Sequence, residues 1–324
     1  MPTNHPFRDH LRNHLDLVTT YEEKRAGFLA LALEKSTRMV PFINEAKMLR
    51  QSARYAKVPS DLLLLPSIQH AFLKAAGVSD KAEVFLNKTD IENAKKELIK
   101  NFLEPSGTNF VDELVYRFLL TQGDALGGIM RNVGGMWGKI KFLELLRAAF
   151  RNSSVAYEIL LRESRTWQNN NISTILSEEI KAIRWQSNNI SLFPAEFRTL
   201  VVDFTVKIVR KNVDVCLIRG TRDKLSDSYY QDPKNYISLG EVKGGIDPAG
   251  ADEHWKTGNT ALQRIRDAFS QKGFYPQTFF VGAAIEISMA AEIWGQLNRG
   301  ILSNAANLTK ASHMEALCLW ILTL

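Results

Sequence analysis

Apolar residues recur every three or four positions through most of the first half of the chain. Val111, Leu114, Val115, Phe118 and Leu119 fall at the spacing of one helical face, with Asn109 placed to cap it. Thr89 and Glu92 make a capping-box pair ahead of Ile91, Ala94, Leu98 and Phe102. Ile140 to Phe150 continues in the same manner, and Pro41, Pro59, Pro66 and Pro105 punctuate the region. The pattern predicts helices up to about residue 165. The glycine-rich stretch from Gly123 to Asn132 reads as a turn between two helices. Its alternative use is a phosphate contact by Arg131, but no Gly-Lys-Ser/Thr follows, so it is not a Walker loop.

Near residue 199 the period changes from helical to alternating. Leu200, Val202, Phe204, Val206 and Ile208 alternate with Asp203, Thr205 and Lys207, which predicts a strand with one apolar face. Arg210, Lys211 and Asn212 turn the chain into a second strand, Val213 to Ile218. A third runs from Tyr236 to Lys243 and stops at Gly244 and Gly245. A helix follows from about Asn259 to Gln271, ended by Gly273. Thr278 to Ile285 reads as a buried strand, and Ser288 as the cap of a helix closed by Gly300. The second half is therefore mixed α/β, a small sheet with flanking helices. The pattern divides the chain into a mostly helical part, residues 1–150, and a mixed part, residues 151–324.

Length and composition leave room for a large core: 324 residues, 45% hydrophobic and 23% charged. The formal charge of +6 favours a nucleic-acid partner without requiring one. Cys216 and Cys318 sit in apolar runs and read as buried free thiols, and no Cys/His spacing suggests zinc. The opening residues do not have the pattern of a signal peptide, and no apolar run approaches the ~18 residues of a membrane span. The expected setting is soluble and cytoplasmic, without a membrane.

The residues that carry chemistry are Asp214 in the second strand and Glu241-Val242-Lys243 in the third. Side chains two apart on a strand share a face, so Glu241 and Lys243 point the same way. If the strands pair, Asp214 lies across from them. Two carboxylates that close repel each other, and a hard divalent cation such as Mg²⁺ removes that penalty. The Val242 carbonyl is a third candidate ligand. Such an ion polarises a phosphoryl oxygen and acidifies water, and Lys243 stabilises the added charge. The ordinary reading is a salt bridge at strand ends. Against it, Asp214 interrupts the apolar run Val213, Val215, Leu217, where a charge is costly unless paired or metal-bound. The glycine-rich segment after Lys243 reads as a loop at the mouth of the site, and its His254 is a candidate general base.

The segment Leu239-Gly240-Glu241-Val242-Lys243-Gly244-Gly245-Ile246-Asp247-Pro248-Ala249-Gly250-Ala251-Asp252-Glu253-His254-Trp255-Lys256-Thr257 resembles the type II restriction endonucleases of the AvaI/BsoBI family. The likeness continues through Asn259 to Leu262, Phe280 to Glu286, Thr19 to Phe28, Asn101 to Pro105 and the Gly123 to Asn132 stretch. It thins between about 150 and 195. The resemblance implies a restriction-endonuclease-like α+β core with a large, mostly helical N-terminal region. It implies a homodimer that cleaves double-stranded DNA at the palindrome CYCGRG after the first C. Products would carry 5′-phosphates on four-base 5′ overhangs. A cognate methyltransferase would protect the same site. The family's acidic metal ligands fall on Asp214 and Glu241, its lysine on Lys243 and its proposed general base on His254. Its base-reading residues fall on Lys81, Lys211 and Asp247, chemistry that suits guanine and cytosine edges. Val213 stands where the family has a proline before the first acid. The rival enzyme is a structure-specific or repair nuclease on the same core.

Overall fold

The computed structural model describes residues 5–169, 175–187, 196–221 and 228–324. Its helices are α1 (Tyr21–Ala53), α2 (Gln69–Ala75), α3 (Asp80–Glu83), α4 (Lys88–Leu98), α5 (Phe110–Asn152), α6 (Ala251–Ser270), α7 (Ile287–Asn298) and α8 (Ala311–Thr323). Its strands are β1 (Tyr157–Leu161), β2 (Trp167–Asn169), β3 (Ile180–Gln186), β4 (Phe197–Val206), β5 (Lys211–Arg219), β6 (Tyr236–Lys243), β7 (Gln277–Gly282) and β8 (Asn304–Asn307). Among the described residues these make one eight-stranded sheet in the order β2-β1-β3-β4-β5-β6-β7-β8. Neighbours are antiparallel as far as β6 and parallel from β6 to β8. Helices α6 and α7 are the crossovers that parallel pairing demands. The arrangement is the mixed sheet with helices of an α+β restriction-endonuclease-like fold.

Chain contacts gather into two compact units, residues 29–132 and residues 1–28 with 133–324. The division drawn from the sequence, at residue 150, falls inside the second of these. The first unit is helical, built around Leu49, Leu62, Phe72, Leu103, Leu114 and Phe118. In the second unit, adjacent residues of β7 show why both sheet faces are covered. Neighbouring strand side chains point to opposite sides. Phe279 meets Phe142 of α5 and Trp320 of α8 at ring separations of 6.5 and 5.9 Å. Phe280 meets Trp255 of α6 at 5.1 Å. Phe7, Leu11 and Leu17 from the N-terminal turns join the core beneath α6 and α7. Asn307 fixes that segment by donating to the Leu17 carbonyl at 2.8 Å and to Thr19 Oγ1 at 2.9 Å.

Several local expectations change. Gly123 to Asn132 is not a turn, because α5 runs unbroken from Phe110 to Asn152. Buried Phe118, Gln122, Leu126 and Val133 carry the helical stripe through the glycines, so packing overrides a propensity cost of about 1 kcal/mol per glycine. Pro41 stands inside α1 rather than ending it. The cap of α4 is Asn87 with Asp90, not Thr89 with Glu92. Tyr157–Leu161, expected to be helical, is β1. A five-residue apolar run suits either element, and pairing with β3 decides it. Lys211 and Asn212 open β5 instead of turning, since the reversal comes earlier, at Arg210 with φ 58°. Helix α6 starts at Ala251, so His254 and Trp255 are helical and not in a loop. Glu286 takes the N-cap position of α7, two residues before Ser288, and β7 ends at Gly282. Cys216 and Cys318 are buried and free, as expected. No helix among the described residues is long and apolar enough to cross a membrane.

The N-terminal segment also brings a half-buried histidine, His10, against the buried His313. The rings of His10 and His313 lie 5.2 Å apart. Burial first, then the His10 charge, lowers the His313 pKa to about 4. A histidine kept neutral by the fold favours the folded state above its unfolded pKa. That stability is lost as pH falls from about 6.5 to about 4, because the unfolded chain then binds the extra proton. Urea unfolding should show a loss on the order of 3 kcal/mol across this window. His313→Gln should flatten that slope, and an unchanged slope would remove His313 as its cause.

Candidate active site

Strands β5 and β6 bring the chemistry together. Val215 pairs with Gly240 and Cys216 with Leu239, so one further step in register sets Asp214 opposite Glu241. Lys243 Nζ lies 2.8 Å from Glu241 Oε2 and 3.6 Å from Asp214 Oδ2. The backbone adds a contact, since the Val242 amide donates to Asp214 Oδ2 at 3.0 Å. Glu241 is 4% exposed. Burial, then the Asp214 charge, raises its pKa to about 7. Burial also works against the Lys243 ammonium, but Glu241 and Asp214 outweigh it and hold the lysine pKa above its usual value. Gly258 lets α6 close on β7, since a Cβ there would come within 2.8 Å of the Phe280 ring, and Lys243 Cε lies at ordinary contact distance beside it.

A second set of charges adjoins the first. Asp203 of β4 falls between the pairs Val202–Val215 and Phe204–Val213, which places it across from Asp214. Its φ is 50°, a left-handed conformation inside a strand. Lys139 of α5 forms an ion pair with Asp203 Oδ1 and lies 3.4 Å from Asp214 Oδ1. Arg162 reaches Asp203 Oδ2 at 3.2 Å. Lys181 donates to the carbonyls of Val202 and Asp203, each at 2.6 Å. By alternation alone Asp203 is one of the polar positions between the apolar residues of its strand, and nothing in the sequence pattern singles out Lys139. The available signal was an acid between Val202 and Phe204, the same kind of interruption that marked Asp214.

Helix α5 reaches this place because glycine meets glycine. A Cβ on Gly138 would come within 2.7 Å of Gly244 Cα, and one on Gly244 would collide with the Gly134 carbonyl oxygen. The backbone after β6 thus packs directly on the helix, one residue from Lys139. His254 lies against Gly245, where a Cβ would collide with its ring. Burial first, then the Lys243 charge, lowers the His254 pKa and favours neutral imidazole. Lys211 is exposed at the start of β5, where alternation turns it to the face opposite Asp214. Asp247 is exposed in the connection after β6, where its side chain accepts from the Ala249 amide at 2.9 Å. Lys81 and Arg131 are exposed residues of the helical unit, on α3 and α5. In that unit His70, Asp80 and Glu83 also cluster, but Lys74 already neutralises the two acids at 2.8 and 2.7 Å.

Residues 7–324 match the family model described as "Restriction endonuclease BsobI". The chain belongs to the BsoBI restriction endonuclease family. It is 47% identical over 320 residues to the "Type II restriction enzyme AvaI" of Nostoc sp., spanning 98% of this chain and all of that protein. An identically named enzyme of Anabaena variabilis matches equally well. The "Type II restriction enzyme BsoBI" of Geobacillus stearothermophilus is 47% identical over 329 residues, covering both chains in full. As a BsoBI-family member the chain is a type II restriction endonuclease, a site-specific deoxyribonuclease. Restriction enzymes act on double-stranded DNA and in general need a divalent metal. The donor set of this BsoBI-family chain suits a hard cation: two converging carboxylates, one of them raised in pKa by its burial and then by the other's charge.

The glycine contact can be tested without any assay of activity. Gly138→Ala should destabilise the fold by roughly 1–3 kcal/mol, because its methyl meets backbone that cannot move aside. Gly135→Ala, with nothing within 4 Å of the new methyl, should be neutral or stabilising by up to about 1 kcal/mol. Denaturant midpoints of the two variants should therefore move in opposite directions or differ clearly in size.

Proposed function

We propose that this BsoBI-family chain hydrolyses double-stranded DNA at the palindrome CYCGRG in a Mg²⁺-dependent reaction, leaving 5′-phosphates on four-base 5′ overhangs. The observation that carries the reading is the convergence of Asp214, Glu241 and Lys243 where β5 and β6 meet, in a chain 47% identical to type II restriction enzymes over its full length. Asp214 and Glu241 would hold the ion, with the Val242 carbonyl as third protein ligand. Bound there, Mg²⁺ supplies Lewis acidity toward the phosphoryl oxygens. Lys243 donates to a non-bridging phosphate oxygen and offsets the charge that develops as water attacks. His254, held neutral, accepts the proton of that water. The bond from phosphorus to the 3′ oxygen breaks, and the phosphate stays on the 5′ end.

Base recognition is assigned to Lys81, Lys211 and Asp247, and phosphate contact to Arg131. Lysine donates to guanine O6 and N7, and aspartate accepts from the cytosine amine. All four side chains are exposed and can meet a ligand. A palindrome cut symmetrically on both strands requires two sites related by the DNA dyad, hence a homodimer. The partner activity is a methyltransferase acting on the same sequence, and the setting is the bacterial cytoplasm.

Plasmid digestion with Mg²⁺, followed by sequencing of the cut ends, tests the whole reading. The expected result is discrete fragments ending within CYCGRG, and none with EDTA. A smear, or cutting confined to branched substrates, indicates a structure-specific nuclease instead. Asp214→Asn should abolish cleavage while duplex binding persists, and normal turnover would exclude Asp214 as a ligand. Lys243→Ala should lose about 10²–10⁴ in rate, the range for one positioned electrostatic or proton-transfer group. His254→Ala with an unchanged rate across neutral pH would remove His254 from the mechanism.

A further inference from the structure

Asp214 is held by two cations, and only one of them belongs to the Glu241-Val242-Lys243 segment. Its Oδ2 faces the Val242 amide and Lys243, while its Oδ1 faces Lys139 at 3.4 Å. The closer partner of Lys139 is Asp203, whose other oxygen is engaged by Arg162. Lys181 clamps the backbone on which Asp203 sits. Lys139 is thus shared between two acids, and the one that draws it more strongly has no place in the reaction described above.

We propose that Lys139 and Asp203 are positioning residues that set how readily Asp214 accepts a divalent cation. Lys139 is the resident counter-ion of Asp214, and Asp203 draws it to one side so that an incoming ion can compete. The inference rests on the reading of Asp214 as a metal ligand. Its physical basis is charge. An ammonium 3.4 Å from a carboxylate opposes a second cation at the same oxygens. Removing Lys139 leaves the acids less neutralised and should strengthen ion binding. Removing the charge of Asp203 frees Lys139 to settle on Asp214 and should weaken it. The site is partly screened, with Lys139 21% and Asp214 15% exposed at the side chain. Even at the dielectric of water, two unit charges about 4 Å apart correspond to about fivefold in affinity.

The two substitutions therefore predict opposite signs, which loss of structure does not. Asp203→Asn is a mild change for the backbone, because asparagine tolerates the left-handed φ of 50° as well as aspartate does. The test is Mn²⁺ binding to the full chain without DNA, read as loss of the free-ion EPR signal. The variants are Lys139→Met, Asp203→Asn, their double, and Asp214→Asn as control, with Lys139→Gln beside Lys139→Met in case the latter fails to fold. The wild type should show a binding site that Asp214→Asn removes. Lys139→Met or Lys139→Gln should bind Mn²⁺ about fivefold more tightly, and Asp203→Asn about fivefold more weakly. The double variant should return to within about twofold of Lys139→Met, since Asp203 acts through Lys139. Shifts of the same sign, or none beyond about twofold, would overturn the inference while leaving the metal reading intact. A wild type with no site sensitive to Asp214→Asn would instead overturn the metal reading, and this inference with it.

Discussion

Three carboxylates from three adjacent strands lie within reach of one another, and the fold survives this only because cations meet them. Asp203, Asp214 and Glu241 come from β4, β5 and β6. Lys139, Lys243 and Arg162 answer them at distances up to 3.6 Å. Breaking one partner out of such a partly buried group leaves an uncompensated charge, a change that costs several kcal/mol in comparable settings. The balance is not uniform. Asp203 is fully answered, with burial outweighed by Lys139 and Arg162 so that its pKa lies below the usual value. Glu241 is paired with Lys243, yet burial first and then the Asp214 charge still raise its pKa. A divalent ion would offset both the burial of Glu241 and its repulsion by Asp214.

The helices explain how cations from distant parts of the sequence arrive there. Lys139 lies 64 positions from Asp203 and 75 from Asp214 along the chain. It reaches them because α5 touches the backbone after β6 through Gly134 and Gly138. A helix normally stands off a neighbouring segment by the thickness of its side chains. Without them, the peptide groups themselves come into contact. The same connection from β6 to α6 turns His254 against Gly245, so one glycine-rich segment serves both the helix contact and the histidine.

What could be read from the sequence divides along physical lines. Strands β4, β5 and β6 were legible because alternation, charge interruption and glycine stops act within a few residues. The facing of Glu241 and Lys243 followed from strand geometry alone. Strand β1 and the continuity of α5 were not legible. A short apolar run and a glycine-rich run are locally ambiguous, and partners far along the chain decide them. The start of α6 was missed for a related reason: Pro248, Ala249 and Gly250 look like loop but form a 3₁₀ turn that leads into the helix. Asp203 was hidden by its own regularity, since an alternating strand invites every polar residue to be assigned to solvent. Its left-handed backbone shows only in three dimensions.

That left-handed residue bears on how the site is built. A non-glycine residue with positive φ inside a strand carries strain, and such strain persists only where surrounding contacts over-determine it. Here the contacts are visible: two carbonyls held by Lys181 and two carboxylate oxygens held by Lys139 and Arg162. A regular strand would satisfy the ladder at position 203 without any of them. The left-handed turn of the backbone at Asp203 instead aims an acid at a lysine that also touches Asp214. Plain sheet stability does not account for that arrangement, whereas control of the charge around Asp214 does.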